Sequence, residues 1–292
     1  HKPLAKKIPI LFAIGINMAI PALLFLQVVF GHLFYTSSIL MGTIWILIIP
    51  LLIIAYYSSY FHYRNFENSK FAKPVLILII LIIFYIAFML VNNLSMMELP
   101  HKWTDYFTNK QGTILLWSLP SIYPRFFHFL VASVAVGGMF YSIYYSRRSD
   151  SISQVNEGLK IFAYATMIQI IVGFWFLLSL PQNIMQKYMG GDLFATVVFV
   201  LGVITAIISI FVALMGKLKG SILFLLLTLI FMVINRYHLR TFHLEGVFSP
   251  YQLEVVPQWD LFILFAGVLC VGIGVIAYML KMAFTQKKGI EK

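Results

Sequence analysis

"PVLILIILIIFYIAFMLVN", residues 74–92, runs for nineteen positions without a charged residue. At about 1.5 Å of rise per residue, a helix of that length comes close to crossing the roughly 30 Å of hydrocarbon in a bilayer. A soluble amphipathic helix would show a polar face, and this one is apolar nearly all round. Working outward from it, comparable runs cover 8–36, 38–61, 122–146, 161–181, 193–216, 220–237 and 259–282. Inside hydrocarbon a span must satisfy its own backbone polar groups, and runs of this length do so as helices. The 292 residues are 61% hydrophobic and 11% charged, with a mean hydropathy of +0.91. A water-soluble domain of that size could not bury so much apolar surface. The expected fold class is therefore all-α, a polytopic membrane helical bundle with about eight transmembrane helices, forming a single integral domain over 1–292.

Lys2, Lys6 and Lys7 precede the first run as basic residues precede a signal peptide. The run itself is longer than a signal-peptide core, and no small-residue cleavage site follows, so it is read as the first helix. Orientation follows from lysine and arginine. Segments 1–7, 62–73, 147–160, 217–219 and 281–292 alternate with 37, 93–121, 182–192 and 238–258. The second set, with the charges just inside neighbouring helix ends, holds six basic and six acidic residues, so the formal net charge of +11 belongs to the first set. The positive-inside rule makes that side cytoplasmic, both termini included, in a multi-pass protein of the cell inner (cytoplasmic) membrane. The basic excess thus reports topology and not nucleic-acid binding. Cys270 is the only cysteine. That rules out an internal disulfide, a CxxC zinc site and a covalent CxxCH haem attachment.

An ionisable side chain within an apolar span is costly, and by default it has a partner or a function. In "SLPSIYPRFFHFLVASVAVGG", residues 118–138, Arg125 and His128 stand three positions apart at an outer helix end. His32 lies near the outer end of the first helix, His238 and His243 follow the seventh in "NRYHLRTFHLEG", and His101 is in outer loop 93–121. Only His62 marks an inner end, where it reads as an interfacial anchor beside Tyr and Arg residues.

Imidazole is a good iron ligand, and a b-type haem between helices needs axial nitrogens, flat helix faces and cations for its propionates. The fourth span offers His128, with Ala132 and Ala135 leaving its face flat, and Arg125 pointing toward the headgroups. His32, His128, His238 and His243 are thus candidate metal ligands, and Arg125, Arg236 and Arg240 candidate cofactor-binding residues. Hydrogen-bonded packing histidines and snorkelling arginines are the structural alternative for each. The spacing of His238 and His243 keeps them off one tight face, and Met96, Met97 and Met232 read as packing. With so little histidine on the inner side, any redox chemistry is confined to the outer half of the membrane.

The stretches "GINMAIPALLFLQVVFGHLFYTSSILMGTIWILIIPLLIIAYYSSYFHY" and "LPSIYPRFFHFLVASVAVGGMFYSIYYSRR" resemble short membrane b-type cytochromes similar to subunit I of the cytochrome bd quinol oxidases. "VVPQWDLFILFAGVLCVGIGVIAYML" follows the same pattern more loosely. The resemblance implies b haems near the outer face, a quinol site beside an outer loop, and His32 and His128 at the positions of haem-ligating histidines. The chain is much shorter than a typical subunit I and lacks its long glutamine-rich loop, which points away from oxygen reduction and toward quinol oxidation.

The resulting expectation is a quinol dehydrogenase subunit with two cofactors, haem b and quinone/quinol. Glu245, Glu254 and Asp105 would accept the quinol protons. A periplasmic multihaem c-type cytochrome or iron–sulfur subunit, docked on the outer loops, would accept the electrons, with membrane lipid as the remaining partner. Two rival readings are a haem-free quinone-binding anchor of a redox complex and a transporter. The transporter is disfavoured because no charged residue sits at a midplane, where such substrate sites lie.

Overall fold

The structure is a computed structural model that describes residues 5–67, 69–148, 152–254 and 256–290; Lys2 lies outside them. Eight helices among the described residues are long and apolar enough to span a membrane. They are α1 (Ile8–Leu40), α2 (Gly42–Arg64), α3 (Ser69–Met97), α4 (Ile122–Tyr145), α5 (Ile152–Leu178), α6 (Leu193–Leu214), α7 (Leu218–His243) and α8 (Trp259–Ile290). No strand occurs among the described residues. The chain divides into two compact units, His1–Pro250 with α1–α7 and Tyr251–Lys292 with α8. The side chains of α8 that are described are almost all exposed.

In the first unit, consecutive antiparallel helices pack as neighbours, most extensively α4 with α5 and α6 with α7. The α4–α5 contact rests on glycine. A Cβ on Gly158 would meet Ser142 Oγ at 2.3 Å and the Gly138 carbonyl at 2.6 Å, so the two backbones touch. Ser142 Oγ donates to the Val155 carbonyl at 2.8 Å across this contact. Small residues that admit close backbone approach are the usual basis of helix association in lipid, where no hydrophobic drive acts between helices.

Several helix ends differ from the sequence expectation; α5, expected from 161, begins at Ile152, and two further ends matter for the site. Helix α3 continues past residue 92 to Met97, and α7 continues past residue 237 to His243. In α3 the polar residues that resembled a loop are buried and partnered. Asn92 Oδ1 accepts from the Leu116 amide at 3.0 Å, and Asn93 Nδ2 donates to Ser38 Oγ at 3.0 Å. Helix α1 contains one residue with a non-helical backbone. Pro21 lies within regular helix, and the non-helical residue is Phe30, with φ −120° and ψ 30°. Phe30 is clamped between the Phe248 ring, at 5.6 Å, and the Arg240 guanidinium, at 4.9 Å.

Candidate functional site

The residues "NNLSMMELP", 92–100, carry the C-terminal end of α3 into the interior of the first unit. Glu98 follows the last residue of α3 and is 3% exposed. A carboxylate so deeply buried requires cations and hydrogen-bond donors around it. Arg125, in the first turns of α4, supplies both: its Nη1 donates to Glu98 Oε2 at 2.8 Å and to Ser95 Oγ at 2.8 Å. Arg240 Nε of α7 faces Glu98 Oε1 at 3.6 Å, an ion pair longer than a hydrogen bond. That Nε is buried and has no hydrogen-bond partner. The positive charges of Arg125, His243, Arg236 and Arg240 also act on Glu98. Burial works to raise its proton affinity, but these cations outweigh it and hold the carboxyl below its ordinary value of 4.5.

Helical geometry accounts for the α7 contribution. At 3.6 residues per turn, Arg236, Arg240 and His243 share one face, and His238 falls on nearly the opposite one. His238 accordingly packs on the rings of Phe194 and Phe242. Aromatic rings line the cationic face, with Arg125 over Phe176 of α5 at 5.3 Å and Arg236 over Phe129 of α4 at 5.5 Å. Tyr188, in the connection before α6, donates its hydroxyl to the Asn235 carbonyl at 2.8 Å. Burial first, then the charges of Glu98 and Asp192, hold that phenol above its usual range, so it stays protonated.

The structure thus brings Arg125, Arg236, Arg240 and His243 together around Glu98. Of the other expected site residues in the first unit, none takes part in the ion pairs and hydrogen bonds of this cluster among the described residues. His32 is exposed with its ring against Phe248 at 4.7 Å. Asp105 and Glu254 are exposed, and Glu245 is exposed and ion-paired with Lys187. His101 is exposed, though its charge reaches His243. His62 is buried at the inner end of α2, where its Nδ1 bonds the Ala72 carbonyl at 2.8 Å.

For a haem, the donor chemistry near the N-terminal end of α4 fits. His128 Nδ1 is buried without a hydrogen-bond partner. Its ring lies against Gly173 of α5, where a Cβ would come within 3.3 Å of Cε1. The arginines nearby exceed the single carboxylate they surround. The flat face expected along Ala132 and Ala135 has a different use: Ala135 packs into a core with Leu159, Phe162 and Ala163 of α5. Ala135 and Gly138 therefore serve the contact with α5. Among the described residues, no three His, Cys, Asp or Glu side chains gather as a metal centre.

Glu98 is the residue that sequence reasoning misses. It reads as one acid in a balanced loop, although Arg125 and Arg236, just inside helix ends, signal that a buried counter-charge is needed. Comparison with family models, curated proteins and solved structures gives no match.

Proposed function

We propose that the chain is a quinol-oxidising subunit of a membrane electron-transfer complex, with its quinol site at the Glu98 cluster near the outer face. The observation that carries this reading is a buried carboxylate that keeps acceptor capacity among cations. Arg240 stands too far from Glu98 Oε1 for a hydrogen bond, so that oxygen is available to a quinol hydroxyl. The arginines would favour the negative charge that develops as the hydroxyl loses its proton, because fixed cations in a low-dielectric site need no reorganisation. Held ionised, Glu98 is a hydrogen-bond acceptor that retains a proton poorly. His243, within the field of both Glu98 and His101, would pass the proton outward. This assigns to Glu98 and His243 the role that the sequence alone gave to Glu245, Glu254 and Asp105.

A b haem would be held through His128, with Arg125 nearest in sequence for a propionate, and would supply a one-electron acceptor. Electrons would leave to a periplasmic multihaem c-type cytochrome or iron–sulfur subunit. The haem-free quinone-binding anchor keeps the same quinol site, and the packing of Ala135 against α5 favours it. Pyridine haemochrome analysis of the purified chain separates the two readings. A b-type signal lost in His128→Ala supports the haem, and no signal in the wild type supports the anchor.

The quinol site has its own measurement in reconstituted membranes with a soluble quinol analogue and an artificial electron acceptor. Glu98→Gln and His243→Asn are each expected to lower turnover by about 10²-fold, the scale of one proton-transfer group. Wild-type turnover in both variants would place quinol oxidation elsewhere.

A further inference from the structure

The Glu98 cluster is not electrically balanced. Three guanidinium groups, Arg125, Arg236 and Arg240, face one carboxylate, leaving two positive charges in excess even with His243 neutral. Arg125 is satisfied by Glu98 and Ser95. Arg240 keeps a buried Nε without a hydrogen bond. Arg236 has no hydrogen bond or ion pair among the described residues; it lies over the ring of Phe129 and interacts with Glu98 only at longer range. It stands seven residues before the end of α7, about 10 Å inside the helix end by the rise per residue. Charge at that depth is costly, and among the described residues the carboxylate acting on Arg236 is Glu98, already bonded to Arg125.

We infer that Arg236 and Arg240, four residues apart on one face of α7, bind the phosphate oxyanion that this excess of charge requires. Guanidinium groups match phosphate through paired N–H donors, and a phosphate would satisfy Arg240 Nε and neutralise Arg236 together. The phosphate has two sources, the headgroup of an anionic lipid in the outer leaflet and free phosphate from the outer solution. Binding uses two arginines of the proposed quinol site but does not depend on that reading, because it is read without turnover.

The test uses the full chain. Purified in neutral detergent, it is mixed with vesicles of phosphatidylcholine alone or of phosphatidylcholine with phosphatidylglycerol, and retained lipid is counted by native mass spectrometry. Phosphatidylglycerol is expected to be retained over phosphatidylcholine. Retention should fall about tenfold in Arg236→Gln and Arg240→Gln, the scale of a lost charge-assisted hydrogen bond. It should be unchanged in Lys217→Gln, at the opposite end of α7. If a glutamine variant fails to fold, Arg236→Lys keeps the charge without the fork and is expected to show intermediate retention. Inorganic phosphate is then titrated against the thermal midpoint of the lipid-free protein. Stabilisation by phosphate, absent in the variants, identifies the free anion as a ligand, and retention of phosphatidylglycerol without such stabilisation identifies the lipid. Equal retention of both lipids with no phosphate effect, or wild-type binding by the variants, overturns the proposal.

Discussion

Replacing Glu98 by alanine is expected to destabilise the first unit by about 3–5 kcal/mol, the range for removing one partner of a buried ion pair. The cause is the charge left behind more than the bond lost. Arg125 would keep only Ser95 as a partner for its Nη1, and Arg240 and Arg236 would face it with no anion between them. Unfolding of the detergent-solubilised protein reads the effect. Because the two residues share one interaction, the double variant Glu98→Ala/Arg125→Ala should lose less than the sum of the single variants. Additive losses would mean that the 2.8 Å pair carries no coupling.

The same group sets a pH dependence. Its carboxyl lies below the ordinary value of 4.5, so the unfolded chain takes up this proton at higher pH than the folded one. The stability contributed by Glu98 is therefore fully present above that ordinary value and is lost as pH falls through the lower, folded value. Glu98→Gln should lack this acid-sensitive component while following the wild type at neutral pH in every other titration. An unchanged acid profile would show that Glu98 titrates as an ordinary carboxyl.

The second large effect is expected at Gly158. A Cβ there would lie 2.3 Å from Ser142 Oγ, 2.6 Å from the Gly138 carbonyl and 2.9 Å from the Ser142 amide. Two of the three obstacles are backbone, so Gly158→Ala can be accommodated only if α4 and α5 move apart. That movement also removes the Ser142–Val155 hydrogen bond. Overpacking of this kind costs about 1–3 kcal/mol, and Gly158→Leu should prevent assembly of the pair. Gly137 is the control. Nothing lies within 4 Å of a Cβ placed on it, so Gly137→Ala should gain about 0.5–1 kcal/mol from helix propensity alone. Equal behaviour of the two glycines in thermal unfolding would refute the close contact between α4 and α5.

How much of this was legible in the chain differs from residue to residue. The long uncharged runs marked the spans because no other backbone arrangement satisfies itself in hydrocarbon. The end of α3 was misplaced because Asn92, Asn93 and Ser95 look like the start of a loop. They are helical because Leu116, Ser38 and Arg125, all distant in sequence, give them partners. Arg125 and Arg236 stood out as charges just inside helix ends, and Arg240 as a cation beyond the seventh run. Glu98 did not, since a lone acid beyond an apolar run has the same local signature whether it ends in solvent or in a buried pair. The small residues after His128 were equally ambiguous, because a flat helix face suits a macrocycle and another helix alike.

Hydropathy and charge bias are local sums along the chain, and by themselves they determined the eight spans and the side on which the basic residues gather. Which arginines meet which carboxylate depends on how α3, α4 and α7 turn toward one another. Only the tertiary structure decided that, because the energy of a buried ion pair arises from groups brought within hydrogen-bond distance across the fold, not from their spacing in sequence.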